Sequence, residues 1–205
     1  MAIIGDVHGK IPEYLAIRAK YEKSLQLGDM GIGFRGVAFP DRPGHQFFRG
    51  NHDDPRACRD HPSYAKDFGM HNGIFIVSGG FSVDAKFREP GVTWWADEEL
   101  AYDDLQTMVG EYEKEKPSVV ISHEAPFRIH PLLKAAAVIR DPDTERWGPP
   151  KGNRTAFALD EMLKIHLPDL WIFGHWHVDL SFRLKKSLKT QLVCLDELSV
   201  YELEC

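Results

Sequence analysis

The sequence predicts an α/β protein with a mixed sheet arrangement. Three observations carry this reading: short apolar runs of strand length recur along the chain, helical segments alternate with them early, and strands dominate late. The first run, Ala2-Ile3-Ile4, stops at Gly5, as a buried strand would. Residues 11–23 place Tyr14, Leu15, Ile17, Arg18 and Tyr21 at helical spacing, with Pro12 near the start, where its missing N–H costs little. Residues 24–27 form a second strand ending at Gly28-Asp29, and Gly31, Gly33 and Gly36 make the next stretch a loop. Gln46-Phe47-Phe48 is a third strand, ending at Gly50-Asn51-His52-Asp53.

Residues 74–77 and 81–83 read as two strands around Gly79-Gly80. The longest helical segment is 97–116. It starts with Asp97, Glu98 and Glu99 and ends with Lys114 and Lys116, the charge order that a helix macrodipole favours, and Pro117 stops it. Residues 119–121 are a strand ending at Ser122-His123, 135–139 a helix and 141–153 a loop. A helix over 155–166 carries Phe157, Leu159, Met162 and Leu163, and a strand over 170–173 ends at Gly174-His175-Trp176-His177. Three short strands, 180–184, 191–195 and 199–203, close the chain, and no internal repeat is present.

With 205 residues, 43% of them apolar, the chain is expected to form one domain over 1–205. Burying roughly 70–75% of its unfolded surface, such a domain needs no disulfide. Cys58, Cys194 and Cys205, an odd set with no CxxC pair, agree with that. The opening MAIIGDVHGK lacks the basic region of a signal peptide, and no apolar run approaches the ~20 residues of a membrane span. A cytoplasmic protein with no membrane partner is expected. The net charge of −6, from 25 basic and 31 acidic residues, speaks against duplex nucleic acid and membrane surfaces as partners. Ten histidines are the feature left to explain.

Half of them sit where apolar runs end. Asp6-Val7-His8, Gly28-Asp29, Gly50-Asn51-His52-Asp53, Ser122-His123 and Gly174-His175-Trp176-His177 each follow such a run. Strand C-termini of an open α/β sheet share one edge, so these groups can meet. In a strand, residues i and i+2 face the same way, which pairs Asp6 with His8 and His175 with His177. Carboxylate, imidazole and amide oxygen suit borderline divalent ions. The candidate ligands are too many for one tetrahedral ion and would serve a pair about 3.5–4 Å apart.

These five motifs, in this order over residues 6 to 177, resemble those of the calcineurin-like metallophosphoesterases. Gly79-Gly80-Phe81-Ser82-Val83-Asp84, with Arg88 and Trp94-Trp95, resembles a bacterial and phage subgroup of that family. The resemblance implies a four-layer α/β/β/α sandwich with two mixed sheets and two divalent metal ions, manganese first among Mn, Fe, Zn, Ni and Co. It implies Asp6, His8, Asp29 and His177 around one ion and Asp29, Asn51, His123 and His175 around the other, with Asp29 bridging. A metal-bridging hydroxide would attack phosphorus, an imidazolium at His52 would assist the leaving group, and Asp53 would orient the His52 ring. The implied activity is hydrolysis of phosphate mono- or diesters.

Protein phosphatases of the superfamily carry an Asp and an Arg soon after the Gly-Asp motif. Gly28-Asp29-Met30-Gly31-Ile32-Gly33 has neither, and Arg35 comes too late. A small-molecule or nucleotide substrate is therefore expected ahead of a phosphoprotein or a nucleic-acid strand, and a metal-stabilised binding scaffold is the alternative of another class. Arg49, Arg88 and Arg128 are candidate phosphate clamps, and Trp94, Trp95 and Trp147 candidate stacking platforms for a base. The Pro-rich stretch 126–153 is a candidate lid, and the cations Arg183, Lys185, Lys186 and Lys189 read as a solvated edge.

Overall fold

The computed structural model describes residues 1–34, 37, 40–141, 152–183 and 190–204. Trp147, the prolines at 142, 149 and 150, Arg35, Lys185, Lys186, Lys189 and Cys205 lie outside the described residues.

Sheet A contains β1 (Ala2–Ile4), β2 (Ser24–Gln26) and β3 (His45–Phe47), all parallel, with the last strand, β10 (Val200–Glu202), antiparallel beside β1. Sheet B has the order β4-β5-β6-β7-β9-β8. Its centre, β5 (Ile74–Val77), β6 (Val119–Ser122), β7 (Leu170–Phe173) and β9 (Gln191–Cys194), is parallel. Its edges, β4 (Phe68–His71) and β8 (Leu180–Arg183), are antiparallel.

The residues that face each way explain why the runs are apolar throughout. Ile3, Leu25 and Phe48 of sheet A meet Ile76, Ile121, Ile172 and Val193 of sheet B between the sheets. Their chain neighbours point outward: Ala2, Ile4 and Phe47 pack with Tyr14 of α1 (Ile11–Arg18) and Cys58 of α2 (Pro55–Arg59). Phe75, Val120, Trp171 and Leu192 pack with α3 (Tyr102–Glu115), α4 (His130–Arg140) and α5 (Arg154–Ile165). The layers are helix, sheet, sheet, helix, the sandwich the resemblance implies. Strands buried on both faces need apolar residues at every position, not at alternate ones.

Three elements differ from the sequence reading. Residues 81–83 are not a strand, because Glu98 holds Ser82 through its backbone N–H and its hydroxyl and draws the chain off the sheet. The long helix starts at Tyr102, not at 97. Glu98 and Glu99 bind Ser82 and the Thr155 N–H instead of opening a helix, and Asp103 and Asp104 supply the acidic first turn. The first helix ends at Arg18, which turns inward to the Pro40 carbonyl. Helix α2 and strand β4 were not anticipated. Cys58 and Cys194 are buried and free, and no helix of the described residues is long and apolar enough to cross a membrane.

Candidate metal centre

All parallel strands of both sheets end at one edge of the sandwich, and the turns that follow carry the predicted ligands. The turn after β1 holds Asp6 and His8, after β2 Asp29, after β3 Asn51, after β6 His123, and after β7 His175 and His177. One donor atom each from Asp6, His8, Asp29 and His177 lie within 4.8 Å of one another, as do those from Asp29, His123 and His175. Asp29 belongs to both groups. His8 Nε2 and His177 Nε2 are 3.0 Å apart, His177 Nε2 is 3.2 Å from Asp6 Oδ2, and Asn51 Oδ1 is 2.9 Å from His123 Nε2. The structure thus brings together all seven side chains that the sequence singled out as ligands.

The backbone is strained to do this. His8, Asp29, His175 and His177 have φ of 49°, 55°, 68° and 50°, in the left-handed region that L-residues avoid. Such residues persist where the surroundings over-determine them, and they gather at functional sites. Here the His8 N–H donates to the Asp29 carbonyl at 2.7 Å and the His175 N–H to Asp6 Oδ2 at 3.1 Å. Two glycines make room. An added Cβ on Gly28, at φ +106°, would lie 2.5 Å from His123 Nδ1, and one on Gly174 would lie 2.4 Å from Asp6 Oδ1.

Charge in the cluster is set by buried carboxylates. Burial alone would favour neutral Asp6, but hydrogen bonds from His177 and His8 hold it well below the usual carboxylate range. Asp29 is likewise pulled against burial, down to about 2, by His123, His52 and His8. His8 rises to about 9, burial being outweighed by Asp6 and Asp29. Two buried anions thus demand positive charge. The donor set fits a cation in a further respect: Asp29 Oδ1 accepts from the His52 N–H at 2.7 Å, while buried Oδ2 has no hydrogen-bond partner. His123 Nδ1 bonds the Leu27 carbonyl at 3.0 Å, which turns Nε2 inward, 2.9 Å from Asn51 Oδ1 and 3.3 Å from Asp29 Oδ1.

His52 lines the same cleft, edge-on to His8 with ring centroids 4.9 Å apart and stacked on Phe34. Burial pushes its ring down to about 4, with Asp29 pulling the other way and Arg88 adding to the fall. The Asp53 carboxylate makes no hydrogen bond to the His52 ring. That carboxylate accepts instead from the N–H groups of Met30, Gly31, Ile32 and Gly50, at 3.2, 2.7, 2.9 and 2.8 Å. Successive amides of a glycine-rich turn make an anion nest, and Asp53 fills it.

Of the three candidate arginines only Arg88 lines the cleft, with Nη2 against His52 Nε2 and Nε held by Asp84 at 2.8 Å. Arg49 is fully buried and bound to Asp67 and the Glu98 carbonyl, and Arg128 is bound to Asp160. Trp94 and Trp95 lie outside the cleft lining. Trp95 is largely buried and packs edge-on against Phe34.

The cleft, about 750 Å³, is also lined by Phe81, Val83, Arg88, Phe127, His130 and Lys134. From the lid candidate, Pro131 lines it as part of α4. Sequence reasoning missed Glu124, which also lines it. Its buried carboxylate takes the Asn153 amide at 2.7 Å and the Trp176 indole N–H at 3.1 Å, and lies 3.5 Å from both His130 and His175. The available signal was an acidic residue next to His123 at the end of an apolar strand.

Among solved structures, an uncharacterised protein of Streptococcus pneumoniae TIGR4, described as a predicted phosphoesterase, is similar at 12% identity over 97% of this chain and 74% of its own, with a TM-score of 0.37. A Staphylococcus aureus protein with a provisional 5′-nucleotidase name, solved with α-ketoglutarate, is similar at 15% identity over 96% of this chain and 48% of its own, with a TM-score of 0.43. Both are too distant to say anything of this chain's substrate. No curated protein matches it. The family model described as calcineurin-like phosphoesterase matches residues 1–179, a span that holds every side chain of the two clusters. The chain belongs to the calcineurin-like phosphoesterases, hydrolases of phosphoric esters.

Proposed function

We propose that residues 1–205 are one domain, a dinuclear-metal-dependent phosphoesterase acting on phosphate mono- or diesters of a small molecule or nucleotide. The observation that carries this is Asp29, a buried carboxylate shared by both ligand clusters with one oxygen that makes no hydrogen bond. Asp6, His8, Asp29 and His177 would hold one ion, and Asp29, Asn51, His123 and His175 the other. Mixed nitrogen and oxygen donors suit borderline divalent ions, and the family resemblance puts manganese first among them. When bound, such a pair supplies Lewis acidity at phosphate oxygens and acidifies water toward neutral pH.

The chain's own groups do the rest. The planar Arg88 guanidinium suits two phosphate oxygens at once. An ester drawn onto Arg88 takes that cation away from His52 Nε2, and its own negative charge favours uptake of a proton from solvent there. His52 Nε2 then passes this proton to the leaving oxygen. A cleft of about 750 Å³ with Phe81, Val83, Phe127 and Trp176 in its walls has the size and lining of a small-molecule site.

The test combines metal analysis with assays of aryl phosphate mono- and diesters and a nucleotide panel in Mn²⁺. Two ions per chain and turnover lost on chelation are expected; no metal and no hydrolysis with any divalent ion overturns the proposal. Asp29→Asn should lose metal and activity together. His52→Asn should keep its metal and lose about 10²–10⁴-fold in rate.

A further inference from the structure

Residues 79–88 follow β5 and pass over the Asn51-His52 turn, yet the reaction described above uses only Arg88 from the polar groups of this stretch. Gly80 approaches the centre so closely that an added Cβ would lie 3.2 Å from His123 Cδ2 and 3.5 Å from Asn51 Oδ1. Two residues on, Ser82 is 2% exposed. Its Oγ donates to Glu98 Oε2 at 2.6 Å and accepts from Asn51 Nδ2 at 2.9 Å, and its N–H donates to Glu98 Oε1 at 2.8 Å.

The order of these bonds has a direction. A carboxylate only accepts, so Glu98 takes the single hydroxyl proton of Ser82 and leaves lone pairs for Asn51. An asparagine amide has two ends of nearly equal shape, and only its oxygen can face a cation. With Nδ2 occupied by Ser82, Oδ1 is the end turned to His123 Nε2, 2.9 Å away.

We infer that Ser82, held by buried Glu98, is a positioning residue that keeps the Asn51 amide oxygen toward the ligand cluster. The inference rests on the proposed reading of Asp29, Asn51, His123 and His175 as one cation site. It accounts for the serine in the Gly79–Asp84 motif, which otherwise has no role.

The experiment is calorimetric titration of metal-free wild type, Ser82→Ala, Ser82→Thr and Glu98→Gln with Mn²⁺. Wild type should take up two ions. Ser82→Ala should weaken one site by about 10–100-fold and leave the other within about twofold. Ser82→Thr, which keeps the hydroxyl, should restore the affinity. Glu98→Gln can donate to Ser82 Oγ, so it should weaken the same site, and it carries the test should Ser82→Ala not fold. Unchanged affinities in Ser82→Ala, or equal weakening of both sites with a lower melting temperature of the metal-free protein, overturn this inference alone. A wild type that binds no Mn²⁺ overturns the proposed function and this inference with it.

Discussion

Asp29 and Asp53 carry the same group, both buried, and do opposite work. Asp29 keeps one oxygen free of hydrogen bonds, 3.6 Å from His8 Nε2, whereas Asp53 uses both oxygens on four backbone N–H groups. Asp53→Asn places an amide NH₂ against those donors. It should lower the stability of the metal-free protein by about 2 kcal/mol or more, as measured by urea unfolding. A role confined to orienting His52 would leave that stability unchanged. The five donor clusters were legible in the sequence because donor type and position after apolar runs mark them, and the family resemblance picked the seven ligand candidates out of them. The task of Asp53 was not, because chain neighbours on a turn point apart. Three of its four partners lie 21 to 23 residues away.

At the scale of elements, the working parts are the turns after parallel strands. Gly174 opens the one after β7, and a methyl there meets Asp6 Oδ1 and Leu27 Cδ1, each at 2.4 Å. Gly174→Ala should cost about 1–3 kcal/mol of stability and weaken Mn²⁺ uptake, as read by melting and metal titration of one preparation. The strands themselves were legible because burial on both faces leaves an unbroken apolar run, as in Ile74 to Val77. The misread segments share one cause. Ser82, Glu98 and Glu99 answer to partners 16 to 56 residues away, which no local pattern records.

At the scale of the molecule, Asp67 ties the layers together. It accepts from Arg49 beyond β3 at 2.7 Å, from Arg59 of α2 at 2.9 Å, and from Ser78 beyond β5 at 3.1 Å, and so joins both sheets to a helix. Although burial opposes it, Arg49, with hydrogen bonds from Tyr64, Arg49 and Arg59, holds its carboxyl at about 2. The folded value lies below the ordinary value of about 3.9. The carboxylate therefore stabilises the fold above about pH 4, and that stability is lost as pH falls toward 2. The gap in unfolding free energy between wild type and Asp67→Asn should shrink by about 2 kcal/mol over that range, as followed by denaturant titration at each pH. Across the whole fold, the four layers and the shared edge were legible through motif order, whereas this brace was not, since arginines and aspartates far apart in sequence carry no mark of pairing. The centre has its own long reach, from Asp6 to His177. A chain that folds from its N-terminal end holds Asp6 and His8 well before His175 and His177 stand beside them. No early intermediate can grip a cation with the full set, and such distant contacts form slowly. Ion capture then reports completed assembly, and an ion that binds only the finished chain draws the folding equilibrium toward it.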